Sequence, residues 1–132
     1  MSTRVQLDRR SILTGAIATV IISLPSARIG RALSANELSN LSILFAVLVL
    51  LGPLVGGALA ARGHPASSLV HGAAAAAAGW AVTISVTVVG RLITGHGVPI
   101  FSSLLVGCLF VPLGIFGGYF TFRRQLRETS SQ

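Results

Sequence analysis

The sequence predicts an all-α integral membrane protein: a four-helix bundle with antiparallel helices and both termini in the cytoplasm. Three observations carry this. Of 132 residues, 52% are hydrophobic and 10% charged, whereas about a quarter of the residues of a soluble domain are charged. Four apolar runs, separated by short polar turns, approach or exceed the length needed to cross the roughly 30 Å hydrocarbon core of a bilayer. All ten basic residues are arginines, and they sit at the ends of those runs, where cations set orientation. The whole chain, 1–132, reads as a single transmembrane domain with basic tails at 1–10 and 123–132.

The first helix is expected over 11–27. A basic start followed by the apolar run 12–24 also fits a secretory signal peptide, and Arg9-Arg10-Ser11-Ile12-Leu13 loosely resembles a twin-arginine export motif. Arg28 and Arg31, which would lie between the apolar core and a cut near Ala32 or Ser34, favour a membrane helix. Residues 12–27 rise only about 24 Å, so the arginines must snorkel or the helix must continue past Pro25 toward Leu33.

A second helix is expected over 36–61. Ser34-Ala35-Asn36-Glu37 has the form of a capping box, in which a serine and a glutamate three positions on satisfy free amides reciprocally. Pro53 lies in its interior, where the missing N–H and the ring bend a helix. After the turn at Gly63-His64-Pro65, Ser67 or Ser68 is expected to cap a third helix over 68–90. Its Thr83, Ser85 and Thr87 are expected to bond back to carbonyls of their own helix. The glycines and proline of 91–99, at Gly95, Gly97 and Pro99, break the chain again. The fourth helix, 100–122, carries Pro112 and ends in Tyr119, Phe120 and Phe122, followed by Arg123, Arg124 and Arg127, a sequence of aromatics and cations typical of a membrane interface.

Placing both termini inside puts seven of the ten arginines on the cytoplasmic side and three outside, as the positive-inside rule favours. The expected location is therefore the cytoplasmic membrane, in a multi-pass arrangement.

Helices in lipid associate by close packing of small residues. Gly52, Gly56 and Ala60 recur every four residues on one face of the second helix, Ala75 and Gly79 on one face of the third, and Gly114 and Gly118 on the fourth. The first two strips are candidates to face each other. A bulky residue at Gly56 should therefore disturb association, while one at Ala58, about 200° around the helix, should not. A weak repeat links Pro53, Gly56-Gly57 and Arg62 to Pro112, Gly117-Gly118 and Arg123, but the proline-to-glycine spacings differ by two, and composition accounts for it better than duplication. The Leu33-Ser34-x-x-Glu37-Leu38 opening, the Gly56-Gly57-x-Leu59-Ala60-x-Arg62 exit and the following His71-Gly72 resemble those of small bacterial four-helix membrane proteins of unknown function, mainly over 33–80. That resemblance implies a fold and no catalytic or ligand residue.

Chemistry is sparse. His71, one turn into the third helix, is the one candidate polar site, because ionisable groups at membrane depth are functional candidates; a bond to a lipid headgroup or a neighbouring carbonyl is the plainer reading. His64, His71 and His96 are not spaced to bind one metal, and neither a metal nor another cofactor is expected. The acids Asp8, Glu37 and Glu128 all lie outside the apolar runs, which argues against proton- or cation-coupled transport. Cys108 is the single cysteine, so there is no intramolecular disulfide and no thiolate metal site. A nucleic-acid partner is not expected, for want of a basic face interleaved with aromatics, and no constellation for an enzyme can be assembled. The expected role is helix–helix association in the lipid bilayer, as a homo-oligomer or as an accessory to another membrane protein. The alternative is a small oligomeric channel or passive transporter, for which Thr83, Ser85, Thr87 and His71 would line the path.

Overall fold

The computed structural model describes residues 7–35, 39–62, 64–95, 97 and 100–130. They form four helices, with no strand among the described residues: α1 (Arg9–Ala35), α2 (Ser39–Ala61), α3 (Ser68–Ile93) and α4 (Ile100–Thr129), with a 3-10 turn at Pro65–Ser67 between α2 and α3. All four are long and apolar enough to cross a membrane, and the chain is accordingly read as a multi-pass membrane protein.

Three helices are longer than the sequence led us to expect, α1 and α4 by about two turns or more and α3 by three residues. α1 starts at Arg9 because Asp8 caps it: its carboxylate accepts the Arg10 amide at 3.1 Å and the Ser11 hydroxyl at 2.7 Å. The helix then runs through Pro25 to Ala35. Its 27 residues reach about 40 Å, enough to span the bilayer that 16 residues could not. Ser34 therefore belongs to α1, where its hydroxyl donates to the Gly30 carbonyl at 3.0 Å, and it does not cap α2. Asn36 and Glu37, the other half of the expected capping box, lie outside the described residues, as do Gly63, His96 and Pro99.

α4 continues to Thr129, two turns beyond its expected end at 122. Arginines that mark a membrane boundary do not end a helix, and the Arg124–Glu128 pair (3.1 Å), one turn apart, supports the continuation. α3 extends to Ile93. Thr94 bonds back to Gly90 (3.2 Å) and Gly95 turns the chain at φ 68°, a left-handed conformation in which a side chain would be strained. Ser67 occupies the N-cap of α3, yet its side chain makes no capping bond.

α1 and α4 each pack against both α2 and α3. Along α1 and α2, Ser34 meets Ser42, Gly30 meets Phe45, Ser23 meets Val49 and Gly15 meets Gly56. Backbones come close enough that a methyl group on Gly56 would strike Thr19 and Gly15, and one on Gly79 would strike Thr19. α4 makes the equivalent approach on other faces: Gly114 lies against Gly57, Gly72 and Ala76, and Gly117 against Leu54 and Ala58. Trp80 fills the room left by Gly107, and its indole N–H donates to the Ser103 carbonyl at 3.1 Å.

Pro53 is fully buried in α2. It has no N–H to give the carbonyl four residues back, which is that of Val49. The Ser23 hydroxyl of α1, itself fully buried, donates to this carbonyl at 2.9 Å. A neighbouring helix thus supplies the bond that the proline removed, which is how proline is tolerated at membrane depth.

Candidate functional site: a buried histidine at the foot of the first helix

His71 is wholly buried in the first turn of α3. Its Nδ1 lies 3.0 Å from the Ser67 carbonyl one turn earlier, and the Asp8 backbone N–H donates to its Nε2 at 3.1 Å. A carbonyl can only accept and an amide N–H can only donate. The imidazole is therefore neutral, with its proton on Nδ1 and its lone pair on Nε2. Neither a lipid headgroup nor solvent reaches this ring; the neighbouring-carbonyl bond is present, and the second bond comes from the start of α1, sixty-three residues away.

The His64 ring stacks on His71 with centroids 4.6 Å apart and 17° between planes. Its Nδ1 faces the Arg62 carbonyl at 3.2 Å, and its Nε2 is 3.8 Å from the Asp8 carboxylate. Asp8 thereby joins three elements: it caps α1, holds His71 through its amide and sits beside His64. The Ser11 hydroxyl, the Arg10 amide and the charge of His64 hold its carboxyl below the ordinary aspartate range. Asp8 was the residue overlooked in the sequence. The signal was there, since Asp followed by a helical run is a strong N-cap pattern.

The ring pair and Asp8 form a clip between the beginnings of α1 and α3, with the groups of each already bonded to one another. Among the described residues there is no group of three or more His, Cys, Asp or Glu side chains placed to hold a metal ion.

The seven small residues singled out in the sequence all lie at helix contacts within the chain. Gly52 faces Ser23 and Thr19, Gly56 faces Thr19 and Gly15, and Ala60 and Ala75 both approach Gly15. Gly79 faces Thr19 and Ala16, Gly114 faces Ala76 and Gly72, and Gly118 faces Ser68. The strips on α2 and α3 converge at Gly15 of α1, which lies against Ala60 of one and Ala75 of the other. Both receive α1, which brings a small face of its own, Gly15, Ala16, Thr19 and Ser23. Ala58 is no neutral position either: its carbonyl accepts the Thr121 hydroxyl of α4 at 3.1 Å, and its backbone lies beside Gly117.

Thr83, Ser85 and Thr87 donate to the carbonyls of Gly79, Ala81 and Thr83 at 2.8, 2.8 and 2.9 Å. Cys108 is exposed on α4.

No protein-family model, curated protein or solved structure matches this chain. What stands of the resemblance to small four-helix membrane proteins is the set of four long apolar helices.

Proposed function

We propose that this chain is a non-enzymatic membrane protein that acts by helix–helix association, with a second copy of itself or as an accessory to another membrane protein. Its helices cross the cytoplasmic membrane antiparallel to one another, with both termini in the cytoplasm. The observation that carries this reading is where the polar groups go. At membrane depth the hydroxyls of Thr19, Ser23, Thr83 and Thr87 donate to carbonyls of the bundle, while the outward surface presents large apolar side chains from all four helices. Such a protein offers its neighbours shape rather than chemistry.

Because the small-residue strips are taken up inside the bundle, association falls to the outward faces. α4 is the strongest, with Phe101, Leu105, Leu109 and Phe116 all exposed. Cys108 lies beside Leu109 on this helix and reports on it. Oxidative cross-linking in native membranes should trap a disulfide-linked dimer through Cys108 if α4 pairs with α4 of a second copy. A chain that stays monomeric by cross-linking and by mass in mild detergent, and that brings no second membrane protein with it, would sink the reading. The pore reading has less support, because Thr83, Ser85 and Thr87 are bonded to carbonyls of their own helix and both ring nitrogens of His71 are engaged by backbone groups within the chain. Solute flux in liposomes containing the pure protein would restore it.

A further inference from the structure

The basic end of the bundle carries a groove between α2 and α4. Its polar mouth, about 430 Å³, is lined by Arg62 at the end of α2 and by Thr121, Arg124, Gln125 and Glu128 of α4. A second hollow of about 340 Å³ shares Ala58, Arg62 and Phe120 with the mouth and runs on past Leu54 and Val55 beside Gly117. One groove therefore has two arginines at its opening and an apolar floor that leads into the membrane span. On the far side of Phe120, Arg123 and Arg127 add two more cations.

We propose that this groove binds an anionic phospholipid, with the phosphate on Arg62 and Arg124 and an acyl chain along Leu54, Val55 and Gly117. Guanidinium groups suit phosphate because their N–H donors match its oxygens in pairs. Basic pockets between membrane helices at the cytoplasmic side are a recurrent way to hold anionic headgroups. A soluble anion would use the mouth and leave the apolar floor bare, so the two-part shape selects an amphiphile. The site exists because α4 continues past the membrane boundary: had it ended at 122, Arg124 would not stand beside Arg62.

Glu128 is the one carboxylate in the mouth, paired with Arg124 at 3.1 Å. Both partners are largely exposed, 82% and 67%, and an exposed pair of this kind is weak. The Arg124 guanidinium can therefore exchange the carboxylate for a phosphate. Glu128 tunes the affinity of the site downward.

The test is native mass spectrometry of the full chain in mild detergent, titrated with phosphatidylglycerol and, separately, with phosphatidylcholine bearing the same acyl chains. Phosphatidylglycerol should be retained and phosphatidylcholine should bind about tenfold more weakly or worse. Arg62→Gln with Arg124→Gln should weaken phosphatidylglycerol by about tenfold or more, whereas Arg91→Gln at the other end should leave it unchanged. Glu128→Gln should tighten it by about two- to fivefold, a gain that loss of folding cannot mimic. Equal retention of the two lipids, an unchanged affinity in the double variant, no gain at Glu128→Gln, or displacement of the lipid by millimolar inorganic phosphate would each overturn the proposal.

Discussion

Ser23 shows how much one hydroxyl can carry where water is absent. It completes a helix it does not belong to, by bonding the Val49 carbonyl that Pro53 leaves free. Ser23→Ala should cost about 1 kcal/mol, at the lower end of what an unsatisfied buried acceptor costs, because helices in lipid find alternative partners. Unfolding in mixed detergent, followed by circular dichroism, measures it. Restoring the missing N–H by Pro53→Ala in the same chain should remove most of that loss, and a Ser23→Ala defect that persists unchanged would mean the hydroxyl serves something else. Asp8 gives a second residue-scale expectation. Its carboxyl is held below the ordinary value, so its contribution to the cap of α1 is complete above about pH 4 and is lost as pH falls through the depressed folded value. The Asp8 carboxyl carbon, observed by NMR, should titrate below the usual aspartate midpoint, and in Ser11→Ala, which removes the largest cause, the midpoint should rise. A midpoint at or above the usual value would contradict the cap geometry.

At the scale of the helices, the close approaches depend on glycines that face other backbones. Gly56→Leu should disrupt the bundle itself, because the new side chain meets Thr19 and Gly15 of α1. Overpacking of this kind costs about 1 to 3 kcal/mol or more. Val47→Leu, on an exposed side of the same helix, should be tolerated, and equal losses in both variants would show intolerance of bulk rather than a packing face. The number of helices, their order and the positions of the small residues were all legible in the sequence, since apolar length and four-residue spacing report on them directly. Which strip meets which helix was not. Gly15, Thr19 and Ser23 repeat every four residues as clearly as Gly52 and Gly56 do, but they lie in a segment that also fits a signal peptide, and two of the three are hydroxyl residues rather than the glycine and alanine that mark a packing face most plainly. The ends of α1 and α4 were misjudged for a related reason: proline and arginine mark bends and membrane boundaries, and neither necessarily terminates a helix. The His71 site was legible only as a lone buried ring, because its partner amide is sixty-three residues away and no spacing rule connects them.

For the whole molecule, charge is the coarse variable. In the proposed antiparallel arrangement, six of the described arginines fall at the end where α1 and α3 begin and α2 and α4 finish, and three at the other. With Cys108 replaced by serine, a cysteine at Ser130 should be shielded from an impermeant thiol reagent in intact cells, while one at Thr94, exposed after α3, should react. Labelling at Ser130 would reverse the proposed orientation. The slot that receives α1 has a further consequence, for the timing of biogenesis. During synthesis α1 leaves the ribosome first, yet the residues that accept it, Gly52, Gly56 and Gly79, emerge more than a helix later. Until then its hydroxyls can only turn back on its own carbonyls, as Thr19 does toward Gly15 at 2.9 Å. Docking of α1 is therefore a lateral event inside the lipid, completed only after α3 has emerged.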